Sequence, residues 1–224
     1  MSKQLLPIIT ENSSFSNLRE SGCLYVDKTA YLAKLVAVSG RMYFLSRPRR
    51  FGKTLTISTL EAIFQGKREL FKGLAIDKTD YDWKTHPIIH IDFGNCGRNT
   101  AEDLEAWLRK AMKQVAVSYG IAVPDLSQHA DDVFSDLIDE LSGLGKVVVL
   151  IDEYDVVLLD NGCSERVEEL RDTLRKCYQM FKSKDSLIRF APGCETVYNP
   201  MSIQKQGKAG TSRTIGSTRV ARNW

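Results

Sequence analysis

The sequence predicts an α/β fold with a mostly parallel sheet flanked by helices, and three observations carry that prediction. Strand-like segments near residues 42, 88, 147 and 187 alternate with amphipathic helical patterns, as in repeated β-α units. The run VVVLI, Val147 to Ile151, is apolar without alternation and rich in β-branched residues, which suits a strand buried on both faces. Met42 to Leu60, MYFLSRPRRFGKTLTISTL, passes from strand-like Met42, Tyr43, Phe44 and Leu45 through a polar loop into a helical apolar pattern at Gly52-Lys53-Thr54.

Taken in order, residues 1–40 form an N-terminal lead-in. Leu24, Tyr25 and Val26 are a short apolar run, Asp27 is placed to cap a helix, and Leu32, Leu35 and Val36 recur at helical spacing. After the loop, Leu55, Ile57, Leu60, Ile63 and Phe64 keep one helix side apolar until Gly66. Residues 67–86 follow no period, and Asp77, Asp80 and Asp82 there read as solvated acids because the glycine turn and terminal glutamate of a calcium loop are missing. Pro87 starts a strand over Ile88 to Phe93. Asp92 near its end reads first as a capping acid and second as a group approaching the site. Thr100, with Asp103 three residues on, opens a helix along Leu104, Leu108, Met112, Val115 and Tyr119 that Gly120 ends. A second amphipathic helix runs from Ser127 through Val133, Phe134, Leu137, Ile138 and Leu141 to Gly143. Ser164 then caps a helix striped by Val167, Leu170, Leu174, Cys177 and Phe181, and Leu187 to Ala191 (LIRFA) is one more strand.

Strand, loop and helix around Gly52 are the context that a phosphate-binding loop requires. Backbone N–H groups and the positive end of a helix converge there, Lys53 adds a full charge, and Gly52 has no Cβ to hold the backbone away from a phosphate. The Thr54 hydroxyl is placed for Mg²⁺. The standard pattern G-x-x-x-x-G-K-[ST] is met only in part, since Arg47 stands at its first position, and an ordinary helix start with a solvated lysine is the plainer reading of the tripeptide alone. The second half of the argument is Asp152-Glu153, at the carboxyl end of the VVVLI strand. In open α/β sheets ligands sit at the carboxyl strand ends. Asp152 is then the acid on the Mg²⁺ side, acting through water, and Glu153 orients or deprotonates an attacking water. Alone, such a pair is an ordinary solvated turn; with the loop it makes a nucleoside triphosphate site.

RPRRFGKT, together with LYVDKTAYLAKLV, HPIIHIDF, VVVLIDEYD and ELRDTLRKCY, resembles the AAA-ATPase-like family of bacteria, over about residues 5 to 190. The resemblance makes Arg47 a family trait. It implies a P-loop NTPase of the additional-strand type at 41–191, in which the LIRFA strand inserts between the strands carrying Asp152 and the phosphate loop. ATP and Mg²⁺ are the implied cofactors. Arg49, Arg50, Phe51, Gly52, Lys53, Thr54 and Leu55 are the expected nucleotide-binding run, Thr54 and Asp152 the expected metal-side residues, and Lys53 and Glu153 the expected catalytic pair. The lead-in packs on the core, with Tyr25 or Lys28 the alternative nucleotide contacts. From Pro192 the apolar pattern stops, and residues 192–224 read as a basic, disordered tail, so that the fold is incomplete at its C-terminus, as in a truncated or frameshifted member. The phosphate-loop strand is then expected at a sheet edge.

At 224 residues and 43% hydrophobic content the chain suits one sizeable core. No signal peptide or membrane span is visible, and five cysteines without C-x-x-C pairing read as reduced thiols, so a cytoplasmic protein is expected. His86, His90 and His129 are too scattered in sequence to suggest a metal site. The net charge of +3 divides into +4 from Ala191 onward, with five basic residues and one acid, and −1 before it. The folded part therefore lacks the basic field of a nucleic-acid binder. ATP binding is the expectation, with Mg²⁺-dependent hydrolysis in the intact family member. The alternatives are a nucleotide-binding switch or partner module without turnover, acting with protein partners or as a homo-oligomer, and a non-functional remnant.

Overall fold

The computed structural model describes residues 7, 14–38, 41–43, 52–96, 100–153, 157 and 165–192. The described residues all fall in one compact unit, Met1–Cys194; beyond Pro192 the expected disordered tail lies outside the described residues. In this unit the helices are α1 (Phe15–Glu20), α2 (Thr29–Val36), α3 (Lys53–Phe64), α4 (Ala101–Tyr119), α5 (Ala130–Ser142) and α6 (Glu165–Ser183). The strands are β1 (Arg41–Tyr43), β2 (Ile88–Asp92), β3 (Val147–Asp152) and β4 (Ile188–Pro192). Two short 3-10 turns, Arg68–Phe71 and Ala75–Lys78, occupy the stretch without a period, and Asp77 there accepts from the Arg68 guanidinium and the Gly73 N–H.

The four strands form one parallel sheet in the order β1-β4-β3-β2. The LIRFA strand is thus central, between β1 and β3, as the resemblance implies, and β1 ends the order among the described residues. Alternation along β3 explains why its sequence is apolar throughout. Val147 and Val149 enter one core with α4, α5 and α6, while Val148 and Leu150 enter another with α2 and α3. Burying each such side chain contributes roughly 1.5–3 kcal/mol. Pro192 closes β4 opposite Tyr43, one residue beyond the expected end, and Leu187 belongs to the preceding 3-10 turn.

Helix ends follow their caps. The Thr100 hydroxyl accepts the Asp103 N–H at 3.1 Å and Gly120 closes α4. Ala116, not Tyr119, continues the buried stripe of α4, because the Tyr119 hydroxyl is taken up in accepting the Ile88 N–H at 2.7 Å. The second helix begins at Ala130, three residues after Ser127, whose N–H is held by the Asp125 carboxylate in a turn. Ser164, the expected cap of α6, lies outside the described residues.

The lead-in is tied to the core by side chains. Asp27 sits one residue before the N-cap of α2 and accepts from the Thr29 N–H and hydroxyl and from the Ala75 N–H. Phe15 is fully buried, and its N–H reaches the Ser58 hydroxyl on α3 at 2.8 Å. At the other end of α2, a bulge in β4 between Ile188 and Phe190 frees Arg189 from the regular ladder. Its guanidinium donates to the carbonyls of Val36 and Val38, so a cation sits at the negative end of α2.

Candidate functional site

Three strand ends and one helix start meet at the carboxyl edge of the sheet. Gly52 precedes α3 in the left-handed conformation, with φ 71° and ψ 33°, and among the described residues a Cβ there would meet nothing within 4 Å. Glycine is therefore required by the backbone turn and not by crowding. Having no side chain, it cannot cap α3, whose first turn carries the positive end of the helix dipole. Lys53, Thr54 and Leu55 open the helix and are half-buried. Arg49, Arg50 and Phe51, along with Phe44, Leu45 and Arg47, lie outside the described residues.

Asp152 ends β3 in phase with Val148 and Leu150, so its side chain is on the α3 side of the sheet. The pairings carried across β4 put it two residues past the level of Tyr43, at the carboxyl edge and one strand removed from β1. It is 3% exposed; Oδ1 accepts the Glu153 N–H at 2.9 Å, whereas Oδ2 has no hydrogen-bond partner among the described residues. A buried carboxylate oxygen without a donor is costly unless a cation or a donor satisfies it. Glu153 itself has φ 52°, a left-handed backbone at a residue other than glycine, which stores strain at the turn out of β3.

On β2, Asp92 pairs with Asp152 in the parallel register and accepts the Gly94 N–H at 2.8 Å. It is both the capping acid and a neighbour of the site, the two readings that the sequence offered. A Cβ built on Gly94 would stand 3.0 Å from Asp92 Oδ1 and 3.0 Å from Glu153 Oε2.

Sequence reasoning missed His90 and Glu61. His90 Nδ1 lies 3.2 Å from Glu61 Oε2, across from α3, and because a carboxylate only accepts, Nδ1 carries the proton. His90 Nε2 is buried with no partner among the described residues. The Glu61 hydrogen bond raises the His90 pKa; burial opposes it, and the charges of Glu61, Asp152 and Asp92 leave the balance upward. The only hint in the sequence was a histidine in an otherwise apolar strand, HPIIHIDF.

Other residues that the sequence singles out stay outside the cluster. Tyr25 is half-buried and stands edge-on to Phe15, 5.1 Å between ring centroids, which fits packing. Cys23, Cys96 and Cys177 are buried, and burial pushes the Cys177 thiol up to about 12. Among the described residues no group of three or more His, Cys, Asp or Glu could hold a metal ion, and no helix is long and apolar enough to cross a membrane.

The sequence is 39% identical over 196 residues to a protein of Azotobacter chroococcum mcd 1 described as an uncharacterized protein in the vnfD 5'region, covering 85% of this chain and 37% of that one. The chain thus spans just over a third of the length of the curated relative it matches. No solved structure matches. Residues 10–193 match the family described as predicted AAA-ATPase, and the chain belongs to that family.

Proposed function

We propose that this protein binds ATP with Mg²⁺ at the carboxyl edge of the sheet, in a P-loop domain of the additional-strand type over residues 41–191, and that the binding supports hydrolysis. The observation that carries the reading is the convergence of two features. The start of α3, whose N-cap Gly52 has no side chain, follows β1, and a 3% exposed carboxylate with one oxygen unpartnered among the described residues ends β3 at the same carboxyl edge of the sheet. The first suits phosphate oxygens and the second suits a cation. The strand order, with β4 between those two strands, and the family membership support the reading.

In this reading the N–H groups of Gly52 to Leu55 and the Lys53 ammonium hold the phosphates, with Arg49, Arg50 and Phe51 completing the loop. Thr54 and Asp152 hold Mg²⁺, which when bound neutralises charge developing on the transferred phosphoryl group. Asp152 fits that duty through its unpartnered Oδ2. Glu153, held against Gly94 by a strained turn, takes a proton from the attacking water or orients it. Binding of ATP to the full chain, with Mg²⁺ and with EDTA, tests the assignment. Wild-type binding that Lys53→Ala weakens by about 10-fold or more in a folded protein is the expected result, and equal affinity of the two would overturn it.

A further inference from the structure

Two buried polar atoms without partners among the described residues lie on one face of the sheet, on adjacent strands. One is Asp152 Oδ2, at the end of β3, and the other is His90 Nε2, in the middle of β2. His90 pairs with Leu150 and Asp92 with Asp152, so His90 and Asp152 are diagonal neighbours two positions apart. Both share the phase of residues packed toward α3, namely Ile88 on β2 and Val148 and Leu150 on β3. Diagonal neighbours on a sheet face lie about 7–8 Å apart, within reach of an imidazole and a carboxylate through one water. With the ring proton on Nδ1, Nε2 and Asp152 Oδ2 are both acceptors, so one water donating to each would satisfy two atoms that are otherwise an uncompensated cost.

We infer that His90 is a positioning residue for Asp152. Glu61 on α3 fixes the ring through Nδ1, and a single water donating to Nε2 and to Asp152 Oδ2 orients the carboxylate. Glu61, His90 and Asp152 then form one chain of hydrogen bonds from the body of α3, two turns beyond Lys53, across β2 to the end of β3. Carboxylates in a cation site are commonly held by such outer partners, whose loss costs about 10- to 100-fold in metal affinity. The charged groups facing the ring are Glu61 from α3, Asp152 from β3 and Asp92 from its own strand. The arrangement links the helix whose first turn faces the phosphates to the acid that faces the cation, so the two halves of the site move as a unit. The functional arm of this inference rests on the nucleotide-site reading; the structural coupling does not.

Two measurements on the full chain separate these. The first is a double-mutant cycle on the urea midpoint of the nucleotide-free protein, with His90→Leu, Asp152→Asn and both together. The expected result is a combined effect smaller than the sum of the single effects, because each substitution removes the same contact; a strictly additive cycle would overturn the coupling. The second compares the gain in ATP affinity that Mg²⁺ gives over EDTA. His90→Leu should lose about 10-fold of that gain with its EDTA affinity unchanged. His90→Gln, whose amide can still hold that water, should recover part of it. An undiminished Mg²⁺ gain in folded His90→Leu would overturn the positioning role. Should the wild type bind no nucleotide while the cycle remains coupled, the proposed function fails and the His90–Asp152 contact stands.

Discussion

Asp92 and Glu153, which leave adjacent parallel strands, close on Gly94 from two directions, each with a carboxylate oxygen 3.0 Å from where a Cβ would be. The two oxygens are therefore no more than about 6 Å apart, a range in which like charges interact. Gly94→Ala would push at least one carboxylate aside. Both are far ends of side chains that can swing, so the expected stability loss is small, about 1 kcal/mol or less. The expected effect on phosphate release is larger, a fall of roughly 10-fold with ATP affinity retained, because a displaced base acts on misplaced water. Equal turnover in Gly94→Ala and wild type would separate Glu153 from the chemistry.

Lys53→Ala removes a cationic donor at the start of α3. ATP affinity should fall by roughly 10- to 100-fold while the urea midpoint stays near that of wild type, since a half-buried lysine at a helix start contributes little to packing. Titration calorimetry with both proteins checks this.

The two acids at the end of β3 should separate by phenotype. Glu153→Gln keeps shape and hydrogen bonding, so ATP should bind while phosphate release falls by about 10²-fold or more. Asp152→Asn should instead reduce the Mg²⁺ dependence of binding. Intact turnover in Glu153→Gln would move the base elsewhere, to Asp155 first, which lies outside the described residues.

Arg189→Ala should loosen the lead-in. Two charged hydrogen bonds to Val36 and Val38 are lost and the end of α2 goes uncompensated, at a cost of about 1–3 kcal/mol. Hydrogen exchange should quicken in α2 before it does in β3. Uniform quickening across both would mean that α2 is not anchored separately.

Asp27 gives a pH dependence. Burial pushes its carboxyl up, but hydrogen bonds from the Thr29 hydroxyl, the Thr29 N–H and the Ala75 N–H, with the Arg19 charge, outweigh this and hold it below its ordinary value. The unfolded chain therefore takes up the proton first as pH falls. The stabilisation is complete above the ordinary carboxylate range near ~4 and is lost as pH drops through the lowered value. The stability gap between wild type and Asp27→Asn should be widest near neutral pH and narrow in acid. A gap that does not change with pH would show that the charge of Asp27 is unused.

Patterning made most of the sheet and helices legible. VVVLI could only be a strand with two buried faces, and Thr100 with Gly120 bracketed α4 because caps are local chemistry. Boundaries slipped where the deciding contact is remote. Ala130 starts α5 because Asp125 holds the turn before it, and Tyr119 leaves its stripe to meet Ile88. In the site, Gly52 and Asp152 announced themselves by motif and strand end. Glu61 and His90 did not, because their pairing spans 29 residues and exists only once α3 lies across β2. No sequence period encodes such a meeting.

The central place of β4 also sets a timetable for synthesis. The strand that separates the end of β1 from the end of β3 is the last of the four along the chain. A ribosome adding about 5–20 residues per second takes roughly 7 to 30 seconds to go from Tyr43 to Pro192. During that interval Lys53 and Asp152 have both been made while the strand that joins β1 to β3 has not. Until Ile188–Pro192 arrives, the backbone groups with which β1 pairs to β4 are left for solvent or a chaperone to cover.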